Sequence, residues 1–159
     1  MARLPYHDRT TFPQELRDFL AMVTEHPNFD MMSYSQSTIE AFILRGQAQY
    51  TGLELPARTR ELVILTTAAV AQAEYEFVQH VPISEAMGVD PQIRKAIHRL
   101  DLDSPLLSAH DQAITKFVAA VVRGPTVDDD TVAAVHDILS NREVVEVLKV
   151  VGFYWSFGR

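Results

Sequence analysis

Residues 55–80 read LPARTRELVILTTAAVAQAEYEFVQH, and how this stretch folds decides the architecture. Pro56 suits the opening of a helix, because the missing N–H of a first-turn proline is one the helix leaves unbonded anyway. From Leu62 to Ala71 the chain is apolar or small on nearly every side. A helix with no polar face belongs at the centre of a bundle, with other helices packed against several of its sides. Thr66, Thr67, Ala68, Ala69, Ala71 and Ala73 are small enough to let those neighbours come close. The run then ends in a polar cluster of Glu74, Tyr75, Glu76, Gln79 and His80. Burying such groups without partners is costly, so the cluster reads as a site rather than as core.

Glu76 and His80 stand four residues apart, which on a helix puts them on one face within hydrogen-bond reach. A carboxylate beside an imidazole raises the histidine's pKa and selects its tautomer, and such a pair can move a proton near neutral pH. Tyr75 and Gln79 make a second pair of the same spacing on an adjoining face, suited to orienting a substrate. The plainer alternative is a solvated surface pair of the kind found on any helix. Glu61 opens the apolar run. In one straight helix it would lie about 22 Å from Glu76, too far to share a site. The two carboxylates meet only if the chain turns back near Gln72–Glu74. Without that turn, Glu61 is simply an acid favoured by the helix dipole near an N-terminus.

The remaining sequence predicts helices throughout. Residues 1–12 form an N-terminal arm, and residues 13–159 a single all-α domain of seven to eight helices. Thr11 with Gln14 suggests a capping box for a helix from Pro13 to Val23, whose buried face is Leu16, Phe19, Leu20 and Val23. His26-Pro27 breaks it. A second helix from Phe29 to Tyr50 carries Ile39, Phe42 and Ile43 inward, and Thr51-Gly52 ends it. Pro82 should kink the helix after Glu74 or open a new one, and Gly88 caps it. Asp90-Pro91 starts a short helix to Leu100, Ser108 with Asp111 a further one, and Asp128 or Asp129 another through Leu139. Ser140 with Glu143 forms a capping box for the last helix, on which Val144, Val147, Leu148, Val151 and Tyr154 recur at helical spacing. No stretch alternates as a strand does.

Composition narrows the function. The 159 residues carry 21 acidic side chains against 14 lysines and arginines, a net charge of -7. The basic residues are scattered, which speaks against a nucleic-acid partner. No apolar run is long enough for a membrane span, and the first residues lack a signal-peptide core, so a cytoplasmic protein is expected. Cysteine is absent, which removes thiolate chemistry and zinc–sulfur sites together. No Gly-rich phosphate loop, nucleophile elbow or EF-hand loop is present. A metal site built on Glu76 and His80 would need a third ligand, such as His98 or His136, brought in by the fold.

The segments RELVIL at 60–65, YEFVQH at 75–80 and the small-residue helix ending at Gly88-Val89 resemble the signature region of the carboxymuconolactone decarboxylase family, also called alkyl hydroperoxidase D-like. Weaker resemblance runs back to HPNF at 26–29 and forward through VVEVLKVVGFYWSFGR at 144–159. The resemblance implies an all-helical fold assembled as trimers or hexamers. The peroxidase branch of the family uses a CxxC pair followed by a histidine. Here Ala73 and Glu76 stand at the cysteine positions, with His80 as the histidine and Glu61 as the upstream acid of the proton relay. Lacking both cysteines, this site has no route to thiol peroxidase or disulfide chemistry.

That departure turns the resemblance toward the decarboxylase-type branch, which implies cofactor-free acid–base chemistry on a small oxidised cyclic or aromatic-derived compound. His80, Glu76 and Glu61 are the expected catalytic residues. Tyr75, Gln79, Arg58 and Arg45 are the expected substrate-binding residues, with Arg60 a further cation able to hold a carboxylate. Decarboxylation, isomerisation, hydration and retro-aldol cleavage all fit, since each passes through an enolate and a mobile proton. Two alternatives stand beside this: a non-catalytic oligomeric binding or stress-response protein of the same fold, and a metal-dependent enzyme using Glu76 and His80. The dense aromatic end at Phe153, Tyr154, Trp155 and Phe157 adds to the expectation of a homo-oligomer.

Overall fold

A computed structural model describes residues 4–23 and 27–158, with Pro27 described by its backbone. The described residues form a short 3-10 turn at Arg9–Thr11 and nine α-helices: α1 Gln14–Met22, α2 Pro27–Met32, α3 Gln36–Thr51, α4 Ala57–Val70, α5 Glu74–Ala86, α6 Pro91–His98, α7 Ala109–Arg123, α8 Asp129–His136 and α9 Asn141–Phe157. There is no strand among them, as the sequence predicts. The chain divides into two compact units, residues 1–51 and 52–159.

In the first unit, Phe12, Leu20, Ile39 and Ile43 form a buried cluster, with Leu16, Phe19 and Phe42 packed on it. Two local expectations fail here. Thr11 does not cap α1. It lies in the 3-10 turn, where its hydroxyl donates to the Asp8 carbonyl (2.7 Å), and Pro13 occupies the cap position without a side-chain bond. Gln14 reaches forward to Asp18 instead of back to a cap (2.6 Å). The expected helix from Phe29 to Tyr50 is also two helices, α2 and α3. Ser33 is fully buried and its hydroxyl bonds back to the Phe29 carbonyl, while the Ser35 carbonyl accepts the first N–H bonds of α3. After Ser33 the ladder gives way to tighter bonds, Tyr34 N–H to the Met31 carbonyl and Ser35 N–H to the Met32 carbonyl (3.2 and 3.1 Å), which end α2. The break expected at His26 lies outside the described residues.

The second unit is built around α4, which packs against α5, α6, α7 and α9. All residues from Thr59 to Ala68 are buried, the outcome the all-round apolar run predicts. Leu62, Leu65, Ala68, Phe77, Val89 and Ile97 belong to one core cluster. The chain does turn back where the distance argument requires. Gln72 takes a left-handed conformation (φ 55°), Ala73 N–H bonds to the Ala68 carbonyl (2.8 Å), and Gln72 N–H bonds to the Ala69 carbonyl (3.2 Å). This is a Schellman ending with glutamine where glycine is usual. Gly88 (φ 83°) closes α5 by the same pattern, with Val89 N–H on the Ser84 carbonyl, so Pro82 is carried inside α5 and neither ends it nor opens a new helix.

The remaining caps follow the sequence. Asp90, Ser108, Asp128 and Ser140 each accept a backbone N–H at a helix start, and Ser140 with Glu143 completes a capping box. The α8 helix stops at His136, a little short of the expected Leu139. One tertiary tie sets the start of α4. Buried Glu146 of α9 accepts the backbone N–H of Leu55 (2.8 Å) and of Glu54 (3.2 Å), and Arg142 bonds the same carboxylate (2.9 Å). Burial would raise the Glu146 pKa, but the Leu55 N–H, Arg142 and the Glu54 N–H together hold it below its ordinary value. We expect Glu146→Ala to destabilise the protein by about 1–3 kcal/mol, because two backbone donors lose their acceptor. A folded-state pKa below the unfolded one stabilises above the unfolded value, and the contribution is lost as pH falls through the folded one. Urea denaturation at neutral and acidic pH should therefore show the gap between wild type and variant closing in acid.

Candidate active site

The α4–α5 turn brings three sequence-predicted residues together. Glu61 from the first part of α4 and Glu76 and His80 from α5 share one buried cluster, with relative exposures of 0, 3 and 4 %. His80 sits between the two carboxylates. Its Nδ1 is 2.8 Å from Glu61 Oε2, and its Nε2 is 3.2 Å from Glu76 Oε1. Arg60, also buried, bonds the other oxygen of Glu61 through Nε (3.2 Å) and Nη2 (3.1 Å). The order is therefore Arg60, Glu61, His80, Glu76, each hydrogen-bonded to the next.

A neutral imidazole has one N–H and donates to one partner, whereas an imidazolium donates to both carboxylates at once. Burial by itself lowers the His80 pKa. Hydrogen bonds to Glu61 and Glu76, with the charges of both, outweigh it and set the His80 pKa above its ordinary value. With His80 protonated and both carboxylates ionised, the formal charges of the four side chains cancel. This is the condition under which a buried ionic cluster is tolerated.

The walls come from distant parts of the chain. The Tyr154 ring of α9 meets the His80 ring edge-on, with centroids 5.0 Å apart and planes at 88°. At the C-terminal cap of α9, a Cβ on Gly158 would lie 2.8 Å from Ala73 Cβ and 3.8 Å from Glu76 Cβ, so only glycine lets the chain pass this close to the start of α5. Neither contact was visible from sequence spacing. Tyr154 is 74 positions from His80 by number (154 − 80), and no local periodicity links them. The Arg60–Glu61 bond could have been read from adjacency, but side chains of consecutive helical residues do not ordinarily face each other.

The other expected site residues sit elsewhere. Tyr75 and Gln79 lie on the exposed side of α5. Arg58 makes a bidentate pair with Asp111 at the start of α7 (2.8 Å for both bonds). That pair raises the Arg58 pKa and, against the opposing effect of burial, lowers that of Asp111. Arg45 is exposed on α3 in the first unit. His98 bonds Glu74 through Nε2 (2.9 Å) and meets Phe77 edge-on, and His136 is exposed at the end of α8. Among the described residues, no three His, Asp or Glu side chains are set to enclose a metal ion.

No family model matches the sequence, and no curated protein matches it. Solved structures do match the fold. A peroxidase-related protein from Silicibacter sp. TM1040 superposes with a TM-score of 0.78 at 17% identity, over 99% of this chain and 85% of its own. The debrominase Bmp8 in complex with 2,3,4-tribromopyrrole gives 0.76 at 13% identity, over 100% and 87%. A protein of unknown function from Agrobacterium tumefaciens, described as a candidate antioxidant defence protein AhpD, gives 0.69 at 20% identity, over 79% and 88%. The chain thus has the alkyl hydroperoxidase D-like fold that the 60–89 segment led us to expect. No helix among the described residues is long and apolar enough to cross a membrane.

Proposed function

We propose that this protein is a cofactor-independent acid–base enzyme of the decarboxylase type, a carbon–carbon lyase or isomerase acting on a small oxidised cyclic or aromatic-derived compound. The observation that carries the reading is His80 bonded at both ring nitrogens to buried carboxylates. Such a histidine is a proton donor in a water-poor site, oriented by its partners. Glu61 is held on its far side by Arg60 and has the shorter bond to His80, so it is the positioning partner. Glu76 has the longer bond, at Nε2 (3.2 Å), so in this reading Nε2–H is the proton given to substrate.

In a decarboxylation the C–COO⁻ bond breaks and CO2 leaves. Its electron pair enters a conjugated carbonyl or lactone to give a dienolate, and His80 Nε2–H protonates carbon. A proton taken up through Glu76 restores the imidazolium. Without cysteine, the same fold supports this proton chemistry but no thiol step. The small halogenated ring bound by the debrominase of this fold is in keeping with a small ring substrate here. A panel of carboxylated lactones and cyclic enol acids, assayed for CO2 release and for exchange of carbon-bound hydrogen with D2O, tests the reading. Turnover of a panel member that disappears in the His80 variant supports it. Near-complete burial of the cluster favours one rival, a non-catalytic binding protein of the same fold, which predicts neither CO2 release nor exchange from any of them.

We also propose a homo-oligomer, a trimer or hexamer. Val145, Leu148 and Trp155 are each more than two-fifths exposed, and with Gly152 they form one stripe on the outer face of α9. A stripe of this kind is suited to an interface. Light scattering should give a multiple of the 17.9 kDa chain mass, and Trp155→Glu should shift it toward the monomer. A wild-type monomer at micromolar concentration would contradict the assembly.

A further inference from the structure

A groove lies between α5 and α6, with a volume of roughly 400 Å³. Phe77, Val78 and Val81 give its α5 side an apolar surface with Glu74 at the edge, and Pro91, Arg94, Lys95 and His98 of α6, with Arg99 at the α6 cap, line the other wall. Phe77 and Val81 each follow a cluster residue by one position. They are therefore turned about 100° around α5 from Glu76 and His80.

The cations of this wall differ in what they are doing. Arg94 is buried and committed, bonding the Val89 carbonyl and Glu85 (3.2 Å). His98 is committed to Glu74. Lys95 and Arg99 are exposed, and neither side chain is paired with an acid among the described residues. They stand four apart on one helix face, an arrangement in which like charges repel. In a chain of net charge -7, Lys95 and Arg99 are a local pair of cations beside an apolar surface, and the acid of the lining, Glu74, is bonded to His98. An anion between the two cations removes the repulsion and gains charge-assisted hydrogen bonds from both.

We infer that the α5–α6 groove binds a small amphipathic carboxylate, its apolar body on Phe77, Val78 and Val81 and its charged end between Lys95 and Arg99. The groove is separate from the hydrogen-bonded cluster of Glu61, His80 and Glu76, so the inference stands whether or not that cluster is catalytic.

The test uses octanoate as probe and 1-octanol as its uncharged counterpart, titrated into the full-length protein and followed by calorimetry and amide NMR. Octanoate should bind saturably, with shifts centred on Phe77, Val81, Lys95 and Arg99, and octanol about tenfold more weakly or worse. Both cations are exposed, so the double variant Lys95→Ala with Arg99→Ala should keep its circular dichroism and lose octanoate affinity by about tenfold or more. The inference is overturned by absence of saturable octanoate binding, by equal affinity for octanol, or by undiminished binding in the double variant.

Discussion

Glu61→Ala is expected to lower the free energy of unfolding by about 3–5 kcal/mol, the cost typical of removing one partner from a buried ionic group. Glu61 is wholly buried and touches both charged neighbours, Arg60 through one oxygen and His80 through the other. Its removal leaves a cavity and takes a carboxylate from two cations that cannot reach water easily. Glu61→Gln keeps the shape and one acceptor but not the charge, and should cost roughly half as much. Urea denaturation read by circular dichroism gives both values. A loss below about 1 kcal/mol for the alanine variant would mean that the cluster contributes little to the fold. The same linkage predicts the pH dependence. The His80 pKa is raised in the folded state, so its stabilisation is fully present below the unfolded value near about 6.5 and declines as pH rises through the folded value. Wild type should lose stability over that range, and His80→Gln should not.

The second large effect concerns turnover. His80→Ala and His80→Gln should each reduce any acid–base activity by about 10²–10⁴-fold, the usual contribution of a positioned proton donor. Two variants are needed because alanine opens a space between two buried carboxylates and can unsettle the fold. Glutamine fills that space and keeps a hydrogen bond, but has no proton to give. Loss of activity in both, with the helical circular dichroism of the glutamine variant intact, assigns the effect to chemistry. Retained activity in His80→Gln would remove His80 from the mechanism. Glu76→Gln should leave substrate affinity nearly unchanged while lowering kcat and moving the pH profile to lower pH, since one of the groups that raises the His80 pKa is gone.

Much of this was legible in the sequence, for physical reasons that differ by residue. The central place of α4 follows from a run with no polar face. Length showed where a turn had to fall if Glu61 and Glu76 were to meet, near Gln72–Glu74, but not that they do, and no glycine marks the spot. The caps at Asp90, Ser108, Asp128 and Ser140 were readable because each is a local bond within a few residues. Thr11 misled for the same reason. Its pattern fits a cap, but Thr11 lies in the 3-10 turn, where its hydroxyl donates to the Asp8 carbonyl and accepts no helix N–H, and Pro13 takes the cap position. The split at Ser33 was hidden because helical periodicity continues across it, and a serine's choice between water and its own backbone depends on burial. Of the expected substrate-binding residues, Arg58 shows the limit of spacing most clearly. A sequence displays a cation near a site but not the Asp111 that engages it from α7. The edge of Tyr154 on His80 is wholly tertiary and left no local trace.

The central claim is that the α4–α5 turn holds His80 as a shared proton donor between Glu61 and Glu76. Imidazole ¹H–¹⁵N NMR of selectively labelled protein, titrated through neutral pH, addresses it directly. The His80 pKa should lie above the ordinary histidine value, both ring nitrogens should carry protons below it, and Glu76→Gln should lower it. A His80 that titrates at or below the ordinary value, or that bonds a carboxylate through only one ring nitrogen, would contradict this arrangement.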